Sequence, residues 1–436
     1  MLQRLRIRDL LEWKQKPRRK PLLLDGARQV GKTVLLERIF GANEFRRVHT
    51  LDFRKEPDLL ELFEDGLDPR NVIANVELWL NSPIDLEHDL IFFDEIGECQ
   101  PAIDSLKYFA EALPHGFLCA SGSNIGLLDS FPVGRVDQIE LSPLCFEEFV
   151  MAAEEPRLLE ALRERRGGRL IHRKLWSLLL DYYFVGGMPE AVQTWFDGRQ
   201  GVHERAREVE RTHQDLVMGF ERDFGKYAGR LHAQHIGAVF ANVPRQLANS
   251  QDSSVRRFRF AGVIDRKRRY QDLRGPIDWL EAAKLVRKCY PINGKPHVPL
   301  IAQTRPNMFR LYLFDVGLLG HMLGLTYSDQ RTQKVDYKGF IAENFVQTEM
   351  NARGLYPTFG WEQGHAELEF IHRDHAGEIV PVEVKSGSRT RARSLQSYLE
   401  RYKPQRALKL YGGQQIQQSA QVEMWPLYHA QFLADL

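Results

Sequence analysis

No apolar run in the sequence approaches the roughly 18 residues that a membrane-spanning helix needs. The basic opening MLQRLRIRDLLEWKQKPRRKP has no apolar core ahead of a small-residue cleavage site. A helical anchor and a secretory leader are therefore not expected, and the reading is a soluble cytoplasmic protein with no membrane partner. Cysteine is scarce: Cys99, Cys119, Cys145 and Cys289 fit neither C-x-x-C metal spacing nor a disulfide framework, which points to a reducing compartment. His232 with His235 and His372 with His375 lack Glu or Cys partners at ligand spacing, so no zinc site is expected. An excess of either charge is missing too. Lys and Arg number 60 against 58 Asp and Glu, a net charge of +2, so only local clusters bear on nucleic acid.

What is present begins with length. At 436 residues the chain exceeds one ordinary domain, and roughly 100 to 200 residues per domain predicts two to four. Near the amino end, Asp25 to Thr33 reads DGARQVGKT, the phosphate-binding pattern G-x-x-x-x-G-K-[ST]. The apolar PLLLD before it suits a buried parallel strand, and TVLLERIF after it spaces its apolar residues as a helix does. In that order, Gly26, Ala27, Arg28, Gln29, Val30 and Gly31 turn backbone N–H groups toward phosphate at a helix N-terminus. Lys32 supplies a point charge, and Thr33 a hydroxyl ligand for Mg²⁺.

A second motif follows at DLIFFDEIG. Leu90 to Phe93 read as a buried strand that delivers Asp94 and Glu95 at its carboxyl end, where open α/β sheets place ligands. Asp94 suits contact with Mg²⁺, and Glu95 suits orienting an attacking water. PAIDSLKYFAEALPHG reads as a helix with Ile103, Leu106, Phe109 or Ala110, and Leu113 on one face. The strand FLCAS then ends near Ser123 and Asn124, either of which suits sensing of the γ phosphate, with Ser123 first. Arg135 reads either as an arginine finger, in cis or in trans, or as an exposed loop arginine.

Together GARQVGKT, IFFDEI, SGSN, GRV followed by LSPLCFEEF, and GGMPEAV resemble a prokaryotic family of AAA-type ATPases. Its members carry a C-terminal domain of unknown function similar to restriction-endonuclease-like folds. The resemblance implies ATP rather than GTP, and a winged-helix segment in the middle. One departure stands out: the family places Gln directly after D-E-I, whereas here Gly97 stands there and Gln100 is displaced.

The expected fold class is α/β, with an AAA-type P-loop domain at 1–150, a helical extension at 151–233, a winged-helix-like region at 234–300 and a nuclease-like α/β domain at 301–436. RERRGGR, at 163–169, reads as a hinge between helices. VRRFRF and DRKRRY gather Arg256, Arg257, Arg259, Arg266, Lys267, Arg268 and Arg269 among Phe258, Phe260 and Tyr270. That mixture suits DNA phosphates beside stacking groups; the alternative is a solvated face whose aromatics point inward.

In FRLYLFDVGLLGHML, a strand or helix, Asp315 reads as a structural cap. IVPVEVKSG alternates Val380, Val382 and Val384 with Glu383 and Lys385, and AELEF sets Glu367 and Glu369 on one face. An acid followed by E-x-K on neighbouring strands resembles the core of the PD-(D/E)XK nuclease superfamily, with Glu343 a helix-borne carboxylate beside Glu369, Glu383 and Lys385. Glu369 stands where the superfamily has Asp. The extra methylene shifts a carboxylate by about 1.5 Å, against a tolerance of about 0.1 Å in a magnesium site, so catalysis is disfavoured.

The leading expectation is a Mg-dependent ATPase acting as a nucleotide-driven switch, with DNA and a second copy of the chain open as partners. An ATP-gated metal-dependent DNA nuclease and a non-hydrolysing nucleotide-binding adaptor are the alternatives.

Overall fold

In the computed structural model the described residues are all but positions 124, 128–130, 133, 199–200, 229, 250–256, 333–337, 389–391, 415 and 420. Asn124 and Arg256 thus lie outside them. The chain forms two compact units, one of residues 4–142 with 282–284, the other of residues 1–3, 143–281 and 285–436. No helix among the described residues is long and apolar enough to cross a membrane.

The N-terminal unit is built on β1 (Leu22–Asp25), β2 (Val48–Asp52), β3 (Leu90–Asp94), β4 (Phe117–Gly122) and β5 (Asp137–Glu140). All pair in parallel, in the order β2-β3-β4-β1-β5. A parallel sheet is covered on both faces, which is why PLLLD and LIFFD are unbroken apolar runs rather than alternating ones. Every residue of β1 and β3 is buried. Because β4 lies between β1 and β3, the strand tips at Asp25, Gly122 and Asp94 share one edge. The helix Gln100–Ala112 buries Ile103, Leu106 and Phe109, the face read from the sequence. Phe93 meets Phe53 and Phe109 edge to face, with ring centroids 5.5 and 6.2 Å away; each such pair adds about 0.5–1.5 kcal/mol beyond area burial. The helix after the phosphate loop, Val34–Gly41, is wound in the wider π form, a geometry frequent near functional sites.

The second unit begins with helices. The hinge expected in RERRGGR falls between Pro156–Arg163 and Arg169–Val185, with Arg165 and Gly168 at positive φ. Helices Arg230–Asn249 and Tyr270–Ala282 then lead into a mixed sheet. Its strands are β6 (Val286–Asn293), β7 (Arg310–Leu313), β8 (Thr358–Gln363), β9 (Ala366–Arg373), β10 (Ile379–Lys385), β11 (Ala407–Tyr411), β12 (Gln417–Gln418) and β13 (Val422–Pro426). Their order is β12-β13-β11-β10-β9-β8-β6-β7. The helix Lys338–Ala352 precedes the antiparallel meander β8-β9-β10; the helix Arg393–Tyr402 then returns the chain to β11, parallel to β10. Leu395 and Tyr398 of that helix share a core with Trp361 and Leu368.

FRLYLFDVGLLGHML resolves into β7 and the helix Val316–Met322, and Asp315 caps it, Oδ1 accepting the Leu318 N–H at 2.9 Å. Asp315 Oδ2 also accepts the Gly187 N–H at 2.6 Å. A Cβ on Gly186 would stand 2.2 Å from Asp315 Oδ1, and one on Gly187 2.0 Å from the Leu144 carbonyl oxygen. The GGMPEAV glycines therefore serve close packing. In the basic stretch, Phe258, Phe260 and Tyr270 gather around Phe309 at centroid distances of 6.5, 5.9 and 5.9 Å. The aromatics turn inward rather than standing free to stack on bases, while Arg259, Arg266, Arg268 and Arg269 are exposed.

Candidate nucleotide-binding site

The loop between β1 and the helix Val34–Gly41 is shaped by its backbone. Gln29 (φ 64°) and Gly31 (φ 92°) are left-handed, a pattern of successive amides that makes anion-binding concavities. At Gly26 the requirement is space: a Cβ would stand 2.3 Å from the Leu141 carbonyl oxygen. Leu141 is itself tied to β1, its N–H donating to Asp25 O at 2.7 Å. Val30 and Ala27 are buried beneath the loop. Arg4 braces it from behind, Nη1 donating to Val30 O at 2.7 Å and Nη2 to Ser142 O at 2.5 Å.

Lys32 folds back onto its own loop, Nζ donating to Gly26 O at 3.0 Å and Ala27 O at 2.9 Å. Burial pushes its ammonium below the usual lysine range, while Glu95, Asp25 and Asp94 pull the other way. A lysine held by two carbonyls and desolvated is poised to exchange them for phosphate oxygens. Across the strand tips, the Thr33 hydroxyl donates to Asp94 Oδ2 at 2.8 Å. The Ser121 hydroxyl, from β4, reaches Asp94 Oδ1. These are hard oxygen donors of the kind magnesium takes, and Thr33 with Asp94 would hold it. Glu95 has left-handed backbone (φ 50°) and receives the Ser123 hydroxyl at 3.2 Å. Such a residue is costly by about 1–3 kcal/mol, and these conformations cluster at active sites.

Lys32, Thr33, Asp94, Glu95 and Ser123 are thus brought to one edge of one sheet. Arg135 is not. It precedes β5, whose first residue pairs with Leu22 at the far end of β1, about 10 Å of strand from Asp25. Its guanidinium pairs with Glu111 at 3.1 Å, both side chains about half exposed. Arg28 is half-buried. Sequence reading missed Arg4 and Ser121. Neither belongs to a spaced motif, and each acts on a residue distant in the chain.

In the second unit, Glu369 and Glu383 lie directly beside the paired Phe370 and Val382 of β9 and β10. Lys385 Nζ stands between them, 3.4 Å from Glu369 Oε1 and 3.0 Å from Glu383 Oε1. Burial alone would lower that ammonium, but Glu369 and Glu383 outweigh it and hold it above the usual range. Burial, with Glu369 beside it, pushes the Glu383 carboxyl up. Glu369 Oε2 accepts the Val384 N–H at 2.9 Å, and Glu383 Oε2 is buried without a hydrogen-bond partner. Glu343 is turned to Arg310, 3.0 Å away, and Arg310 also binds Glu367. Among the described residues no three acids, histidines or cysteines come together as a metal site. An ammonium bridges the carboxylates instead, so the residues as placed do not fit a metal ion.

No curated protein matches the chain. Residues 177–329 match a domain of unknown function, DUF8612, and residues 338–430 another, DUF4143. Residues 18–150 match an AAA domain, and the parallel sheet with its phosphate loop is consistent with a P-loop nucleotide-binding domain.

Proposed function

We propose that this chain binds ATP with Mg²⁺ at the edge formed by β1, β4 and β3 and hydrolyses it there. The observation that carries the reading is the meeting of the Thr33 hydroxyl and the Asp94 carboxylate at 2.8 Å, with Glu95 and Ser123 alongside. Loop amides from Gly26 to Lys32 surround the β and γ phosphates, and the Lys32 ammonium leaves the carbonyls of Gly26 and Ala27 for phosphate oxygens. Thr33 and Asp94 would hold magnesium, which would offset the negative charge that develops on the phosphate. Glu95 accepts a proton from the attacking water and fixes its approach, and Ser123 holds the Glu95 carboxylate in that orientation. Loss of the γ phosphate frees Lys32 to return to the carbonyls of Gly26 and Ala27, which gives the site two states.

No step is assigned to the carboxylates of β9 and β10, where Lys385 already supplies the positive charge a metal would bring. The test is phosphate release by the full chain with Mg²⁺. Lys32→Ala is expected to abolish binding, and Glu95→Gln to bind ATP but slow release by about 10²–10⁴-fold. Release that persists in both variants overturns the reading; binding with no release in the wild type leaves the adaptor alternative.

A further inference from the structure

The N-terminal unit takes in three residues from far along the chain, Ala282–Lys284. They close the helix Tyr270–Ala282, and the Leu285 N–H donates to Leu280 O at 2.9 Å, the outer bond of a Schellman C-cap. The left-handed position inside that cap is usually glycine, which has no Cβ to strain. Here it is Lys284, with φ 64°, a conformation costing a side-chain-bearing residue roughly 1–2 kcal/mol.

The ammonium at the end of that strained residue lies 3.4 Å from Asp25 Oδ2 and 3.5 Å from Glu140 Oε2. Asp25 and Glu140 are register partners at the tips of β1 and β5. Asp25 is 1 % exposed and immediately precedes the phosphate loop, its Oδ1 accepting the Gly26 N–H at 2.7 Å. The same segment touches the turn beyond Ser123: a Cβ on Gly126 would stand 3.3 Å from Ala282 Cβ. Lys284 thus sets a positive charge beside two adjacent carboxylates under a cradle for a polyanion.

We propose that Lys284 is a positioning residue of the nucleotide site, acting through Asp25. Its ammonium offsets Asp25 and Glu140, keeps the Asp25 carboxylate on the Gly26 amide, and leaves the loop's field favourable to a triphosphate. The proposal rests on the nucleotide reading above and adds a residue that no phosphate-loop motif contains. It also accounts for a lysine at a backbone position that glycine would occupy at lower cost.

The test is calorimetric binding of ATP and of ADP to the full chain with Mg²⁺, beside thermal melting, for wild type, Lys284→Gly, Lys284→Gln, Lys284→Arg and Lys32→Ala. Lys284→Gly removes the cation and relieves the backbone, and its melting temperature reads the relieved strain against the Asp25 carboxylate left with less counter-charge. Its ATP affinity is expected to fall about tenfold and its ADP affinity less, because the triphosphate carries more charge. Lys284→Gln should weaken ATP similarly, and Lys284→Arg should restore it. ATP binding unchanged in both neutral variants, or ATP and ADP weakened equally, overturns the proposal. A wild type that binds ATP and loses it on Lys32→Ala shows that the nucleotide reading survives that failure. A wild type that binds neither nucleotide overturns both.

Discussion

An ammonium between two carboxylates decides what the β9–β10 pair can be. Were Lys385 a catalytic lysine beside a metal, its loss would stop cleavage and leave the fold untouched. As placed, it is the counter-charge for Glu369 and Glu383, which are 3 % and 1 % exposed. Removing one partner of a buried charge set leaves the others uncompensated, at a cost of about 3 kcal/mol or more. Lys385→Ala is therefore expected to lower the urea midpoint sharply, and Glu383→Gln in the same chain to recover much of it. Neither wild type nor variant should cut plasmid DNA with Mg²⁺ or Mn²⁺. Cleavage by wild type, lost in Lys385→Ala at unchanged midpoint, would reverse this assignment. At this scale the sequence was informative where chemistry is contiguous. G-K-T and D-E carry their own spacing, and AELEF with E-x-K set three side chains on neighbouring strands. It was silent where one side chain serves a residue distant in the chain, as Arg4 does the Val30 carbonyl and Lys284 the Asp25 carboxylate.

Between elements, the helix Lys338–Ala352 does more than cover a sheet. Its Glu349, fully buried, accepts the Phe146 N–H at 2.8 Å through Oε1, at the start of the helix Phe146–Ala152, while Oε2 has no hydrogen-bond partner. Burial pushes its carboxyl up from the ordinary 4.5 to about 7, against the Phe146 amide and Arg353. The folded protein therefore binds this proton more tightly than the unfolded chain. The stabilisation is complete below pH 4.5 and is lost as pH rises to about 7, on the order of 3 kcal/mol in all. Burial holds His172, His213 and His321 below the usual histidine range, and they act in the opposite direction. The variant difference isolates the carboxyl: the gap in midpoint between wild type and Glu349→Gln should change between pH 5 and pH 8, in favour of wild type at the acid end. A constant gap would mean that Glu349 is ionised throughout. Nothing in FIAENFVQTEM marks Glu349 as different from a solvated helix glutamate, because its partner lies in an element distant in sequence. β1, β3 and β4 were legible for the converse reason, since a strand covered on both faces writes its burial into consecutive residues.

For the whole molecule, the balance of 60 basic against 58 acidic residues limits what nucleic acid can find. A net charge of +2 gives little long-range attraction, so any contact rests on local cations. The mixed basic and aromatic stretch offered two readings. Phe258, at 6 % exposure, and its neighbours packed around Phe309 match the solvated face whose aromatics point inward, so of the DNA reading only phosphate contact by the exposed cations is left to test. Composition could not separate these readings, since an aromatic that stacks on a base and one that stacks on Phe309 look alike in sequence. Beyond Arg257, paired with Glu362, and the exposed Arg259, the cations of this stretch among the described residues form one run, Arg266, Lys267, Arg268 and Arg269, the backbone N–H groups of the last two donating to Asp272. Four cations bound to four phosphates give a slope of log K against log salt of about −3.6, and no base readout to resist competition. Binding of duplex DNA by the full chain is expected to be indifferent to sequence, to vanish by about 200 mM salt, and to lose most of that slope when the four are changed to alanine. A slope near zero would remove DNA as a direct ligand. A slope much steeper than −4, kept in the fourfold variant, would move the contact to a surface outside this stretch.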